Sequence, residues 1–164
     1  MKRNAKLLFI CQGAIIAAIY VVLTYLASTL GLDSYVIQVR FSEMLCILPM
    51  FTPAAIPGLT IGCILSNLML HCEPLDIFVG SFATLIGALG TYWLRKHKWI
   101  APLPPIAANV ILIPWVLRYA YGAEGTIPYF MLTVGIGEII SVYILGMILY
   151  FALKKRASHI FNLK

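Results

Sequence analysis

Acidic side chains are scarce: six Asp and Glu stand against twelve Lys and Arg in 164 residues, and charged residues make up only 11% of the chain. With 62% hydrophobic residues and a mean hydropathy of +0.94, there is too little polar surface to cover a soluble globule. The chain is therefore read as an integral membrane protein. Also lacking are a phosphate loop of the form GxxxxGK(S/T), an HExxH pair, a GxSxG elbow and any Cys/His cluster at metal spacing. Cys11, Cys46, Cys63 and Cys72 lie in or beside apolar segments and read as small packing residues, while His71, His97 and His159 are scattered at segment ends. These absences disfavour an enzyme, leave no expected metal or cofactor, and exclude ATP hydrolysis by this chain alone. A binding or transport protein remains.

Ten-residue alternating runs, the mark of a membrane barrel, are missing too. Long apolar runs mean helices, because in lipid each backbone group must be paired within its own segment. The expected fold is all-α, one domain over residues 1–164. The run that follows Lys2, Arg3 and Lys6 extends to Leu32, too long for a signal-peptide core, so it is expected to stay in the mature protein.

Apolar runs near 7–30, 41–52, 55–71, 75–94, 101–121 and 127–153 predict six membrane helices. The second is short: twelve α-helical residues cover only ~18 Å, and 41–71 could instead be one span kinked by Pro49, Pro53 and Pro57. Charge decides between these. Lys2, Arg3 and Lys6, then Arg95, Lys96 and Lys98, then Lys154, Lys155, Arg156 and Lys164 all share one face only with six spans, and the positive-inside rule makes that face, with both termini, cytoplasmic. The net charge of +6 is then topogenic and calls for no nucleic acid. Asp33, Glu43, Glu73, Asp76, Glu124 and Glu138, with Arg40 and Arg118, fall in the outer half and predict a polar site open to the outside.

Glu138 carries the most information. It lies about eleven residues into the apolar run from Ile127 to Leu153, ~16 Å deep in a layer ~30 Å thick, with no Lys or Arg in that run. A charge there costs ~2.5–3.5 kcal/mol and is kept where it faces a protein interior or hydrated cavity. Asn67 sits near the outer end of the third helix. Asp76 opens the fourth, where a carboxylate also suits a helix amino end. Trp115 reads as an aromatic-belt anchor or a stacking platform. Residues 31–43 alternate, with Tyr35, Ile37, Val39 and Phe41 against Ser34, Gln38 and Arg40, which suits a short extended lid across the outer mouth, or an interfacial connector. Gly58, Gly62 and Ser66, like Gly80, Thr84 and Ala88, recur every four residues and read first as helix packing. Ala14 and Ala18 form a similar stripe that serves either packing or docking of another membrane subunit.

Gln38-Val-Arg-Phe-Ser-Glu43, Leu48-Pro-Met-Phe-Thr-Pro53, Ile56-Pro-Gly-Leu-Thr-Ile-Gly-Cys63 with Asn67, and Asp76-Ile-Phe-Val-Gly-Ser-Phe-Ala-Thr-Leu-Ile-Gly-Ala88 together resemble the queuosine-precursor transporter family. That family belongs to the substrate-binding S components of energy-coupling-factor transporters in the bacterial plasma membrane, and its members bind 7-deazaguanine bases. The resemblance implies a six-helix fold with an extracellular pocket capped by the first long loop. It also implies a partner module of one membrane scaffold and two cytoplasmic ATPases, met through the Ala14 and Ala18 stripe. For such a ligand, Glu138 or Glu43 would accept the ring N1–H and exocyclic amine, Asn67 and Gln38 would serve the carbonyl and pyrrole edges, and Trp115 or Tyr35 would stack on the ring. Arg40 and Asp76 complete the candidate set. An S component for another metabolite or vitamin, and a small membrane-embedded enzyme using Glu138 and Arg40, are the alternatives.

Overall fold

The computed structural model describes residues 5–32 and 38–161. Tyr35 and Asp33 lie outside them, as do Lys2, Arg3 and Lys164. The described residues form helices and turns, with no strand: α1 (Ala5–Thr29), a 3-10 helix (Phe41–Met50), α2 (Ala55–Met69), α3 (Pro74–Trp93), α4 (Leu103–Tyr119), α5 (Ile127–Lys154) and a terminal turn α6 (Ala157–Ile160). Within α5, Ile139–Leu145 is π-helical. The six main segments nearly coincide with the six apolar runs. By length and composition α1, α3 and α5 suffice to cross a membrane, while the 3-10 helix, α2 and α4 are shorter apolar helices.

Local chemistry sets the ends. Gly31, at φ 70°, closes α1 with paired bonds from Gly31 N–H to Ser28 O and from Leu32 N–H to Ala27 O, a glycine-terminated cap. Proline lies in the first turn of α3, α4 and α5, where its missing N–H is an orphan anyway. The expected extended lid is described only at its edges: Gln38–Arg40 are non-helical, and Val39 N–H bonds to Leu32 O at 3.1 Å. The connector thus closes on itself.

Helix direction follows from the glycines. A Cβ on Gly58 would meet Gly13, and one on Gly62 would meet Tyr20 and Ala17, so α1 and α2 run parallel, and the Gly58 and Gly62 stripe is internal packing. Between them the 3-10 helix returns the chain, since Tyr20 bonds Glu43 near its start and Gln12 bonds Thr52 just past its end. The short second segment is thus a separate crossing of the bundle. Its 3-10 form also relieves the shortage of length: at ~2.0 Å per residue ten residues rise ~20 Å, a third more than in an α-helix. It touches α1, α2, α3 and α5, and Ser42, Glu43 and Leu45 through Pro49 are buried, so the shortest of the six main segments forms the centre of the core.

Helices α3 and α4 approach closely, because Gly87 and Gly90 leave room for Pro105 and Pro104. At one end of the bundle Phe51 stacks on Tyr150 and Phe161, at 5.3 and 5.6 Å, and Trp99 meets Phe151 edge-on at 6.1 Å. Arg95, Lys96, Lys98 and Lys154 to Arg156 gather there. At the other end Tyr121 joins the loop before α3 to the loop after α4, and Glu73, Asp76 and Glu124 belong to that end.

Candidate ligand-binding site

Two adjoining cavities occupy the acidic half. The inner one, about 30 Å³, is lined by Gln38, Arg40, Glu43, Gly80, Thr84, Asn109, Ile113, Val134 and Glu138. Since one water needs roughly 10–15 Å³, it has room for a water or two but not for a bicyclic base in this conformation. The outer one, about 410 Å³, shares Gln38, Arg40 and Ile113 with it and adds Ser28, His71, Asp76, Val116 and Tyr121 among others. That volume is in the range of small-molecule sites. Gln38, Arg40 and Ile113 form the partition.

Glu138 enters the inner cavity from α5, where the α-helix passes into the π-helical turn. Wider i→i+5 turns of this kind recur at functional sites. Its side chain is 9% exposed, Asn109 supplies a neighbouring amide, and Oε2 is buried with no hydrogen-bond partner. The connector is pinned around it. Gly137 abuts the Gln38 carbonyl so closely that a Cβ would overlap it, and Arg40 N–H donates to Ser141 Oγ at 3.2 Å. These contacts flank Glu138 on both sides and hold Gln38 and Arg40 beside its carboxylate.

Glu43 differs in one decisive way. Tyr20 donates its hydroxyl to Oε1 at 2.6 Å, and Cys46 donates its thiol to Oε2 at 3.2 Å, so both oxygens already have protein partners. Of the two carboxylates facing the cavity, Glu138 alone has a buried oxygen left over. A buried acceptor without a partner costs ~1–3 kcal/mol or more.

Asp76 is buried at the outer cavity and accepts from Tyr121 OH at 2.9 Å. The same phenol oxygen accepts Glu73 N–H at 3.3 Å. Burial first, and then the Asp76 negative charge, push the Tyr121 hydroxyl above its ordinary range. His71, on the rim, ends α2 at φ 55°, with Cys72 N–H bonded to Asn67 O and His71 N–H to Leu68 O. Glycine usually takes that left-handed position.

The remaining expected residues divide. Asn67 is buried next to Cys63, with Nδ2 3.8 Å from Sγ, and is not a lining residue of either cavity. Trp115 is 50% exposed, stacks on Tyr119 at 6.1 Å, and is also not among the lining residues. Tyr35 lies outside the described residues. Ala14 and Ala18 are exposed and line an apolar groove of about 460 Å³ between α1 and α2, with Pro57, Gly58, Ile61 and Leu65. Gly80 and Thr84, read as packing, line the inner cavity. Asn109, Ile113, Val134 and Tyr121 escaped sequence reasoning. Asn109 had a usable signal, an amide inside an apolar helix, to which the reasoning used for Glu138 applies equally. No group of His, Cys, Asp and Glu among the described residues could hold a metal.

The model of the QueT transporter family matches residues 10–155. Over 97 residues the chain is 35% identical to the queuosine precursor transporter QueT of Lactococcus lactis subsp. cremoris (strain MG1363), a match that covers 58% of this chain and 57% of that protein. The chain thus aligns with somewhat over half the length of that curated relative. No solved structure matches the chain. The family match extends over all six main helices, from within α1 to the end of α5, and on that ground this multi-pass membrane protein belongs to the QueT transporter family.

Proposed function

We propose that the chain is the substrate-binding S component of an energy-coupling-factor transporter that takes up a queuosine precursor, a 7-deazaguanine base. The observation that carries this reading is the buried, unpartnered Oε2 of Glu138 in the wall of a cavity that adjoins a larger vestibule at the acidic end. A guanine-type edge presents N1–H and an exocyclic amine side by side, and one carboxylate accepts both. Asn109 and Gln38 have amides suited to the carbonyl and pyrrole edges, and Arg40 balances part of the charge of Glu138 and Glu43. The inner cavity must widen for a bicyclic ring, and the Gln38–Arg40 partition is the element that has to move. The chain then works as a binding subunit rather than an enzyme. Energy comes from a module of one membrane scaffold and two cytoplasmic ATPases, docked at the Ala14 and Ala18 groove.

Calorimetry on the purified chain tests the assignment. A 7-deazaguanine base should bind, and a vitamin should not displace it; saturable binding of the vitamin alone would reassign the substrate. Orientation follows the positive-inside rule, with six spans and both termini cytoplasmic. A thiol probe at Glu124 should label from outside, and one at Lys96 or Lys155 should not. Outside labelling at Lys96 would sink that topology.

A further inference from the structure

The end of the bundle away from the acids carries a feature that the ligand site does not use. Arg95, Lys96 and Lys98 follow α3, and Lys154, Lys155 and Arg156 close α5. Far apart in sequence, the two segments are brought together at Phe151, one turn before Lys154: Lys98 Nζ lies 5.6 Å from its ring centre and 5.2 Å from that of Trp99, and the two rings meet edge-on. No Asp or Glu occurs between Ile77 and Ala123 or beyond Glu138, so neither segment supplies a carboxylate to pair with these six cations. Except for half-buried Lys98, all are exposed. Like charges gathered in one place repel, and an external anion relieves that repulsion.

The surface beside them is apolar. Ile148 and Phe151 on α5, and Ile100 and Leu103 leading into α4, are exposed, and Trp99 stands between. Trp93, 78% exposed, also lies at this edge, and tryptophan favours the headgroup level of a bilayer. Cations at the rim, indole rings at the boundary and aliphatic side chains next to them follow the order of phosphate, glycerol and acyl chain in a phospholipid. A soluble anion would use only the first of these three layers.

We propose that this end of the chain binds an anionic phospholipid, its phosphate held by the 95–98 and 154–156 cations and its acyl chains laid along the face of Ile148 and Leu103. The test is thermal unfolding of the full chain in a neutral detergent, titrated with phosphatidylglycerol, phosphatidylcholine or inorganic phosphate. Phosphatidylglycerol should raise the midpoint and the other two should not. Adding salt to ~1 M, where screening reaches within ~3 Å, should remove most of the rise in the parent protein.

In the triple variant Lys154→Gln, Lys155→Gln, Arg156→Gln, each lost cation is worth ~1 kcal/mol, about fivefold, so phosphatidylglycerol should bind about a hundredfold more weakly. Lys154→Arg with Lys155→Arg should bind as the parent does. Equal stabilisation by phosphatidylcholine or by phosphate alone overturns the proposal, as does a rise that survives high salt. A triple variant that keeps the lipid effect but loses uptake also overturns it, and assigns the cations to a protein partner.

Discussion

Glu138→Gln should weaken binding of a 7-deazaguanine base roughly thirty- to a thousandfold, a loss of ~2–4 kcal/mol. The amide keeps the shape of the carboxylate but turns one acceptor into a donor, aimed at a ligand edge that is itself made of donors. The free protein should behave in the opposite way. Because Oε2 has no partner, removing the charge relieves a desolvation cost, and the unfolding midpoint of Glu138→Gln should equal or exceed that of the parent. Glu43→Gln provides the contrast, since its oxygens take the Tyr20 hydroxyl and Cys46 thiol and its loss should appear in stability. A purine analogue without the exocyclic amine should bind the parent poorly and lose far less on mutation. Calorimetry showing undiminished affinity in Glu138→Gln would make that carboxylate structural and return Glu43 to first place.

The second large effect is on coupling. Ala14→Trp or Ala18→Trp should abolish uptake while the isolated chain binds its ligand nearly as before. Both residues are exposed and line the apolar groove on α1, and an indole there fills space that an approaching helix would use. The contact of α1 with α2 is made by Gly13, Ile16, Ala17 and Tyr20 against Gly58 and Gly62, not by Ala14 or Ala18, although Gly58 also borders the groove, so the substitution should leave most of the internal contact in place. Parallel measurement of uptake in cells and binding by calorimetry separates the two effects. If both fell together, the alanines would be serving the fold of this chain and not a partner.

The architecture was legible because hydrocarbon imposes one rule on every segment: apolar side chains outside, backbone bonds inside. That rule found the six helices and singled out Glu138, whose cost in lipid requires a reason. It said nothing about which carboxylate is already satisfied, because Tyr20 is separated from Glu43 by the last third of α1 and the whole connector, and only packing brings them together. The 3-10 form of Phe41–Met50 was hidden because a short apolar run with a proline carries no clear period. The π-helical turn after Glu138 was equally silent, since Ile139–Leu145 has the composition of any membrane helix. Trp115 could not be assigned a face without knowing how α4 rotates, and the structure sets it among the exposed aromatics. Asn109 gives a weaker signal than Glu138 because an amide costs less in lipid than a charge.

The central 3-10 helix has a consequence for biogenesis. A segment of ten residues rising ~20 Å and carrying Glu43 is a poor candidate for release into lipid as a single unit: Cys46 travels with it, but nothing in the bilayer could replace the Tyr20 hydroxyl of α1. Its neighbours α1 and α2 lie parallel and touch along their length, with the 3-10 helix packed against both. The expected consequence is that α1 and this segment stay at the membrane insertase until α2 emerges, and that the three-helix group leaves it as the first unit.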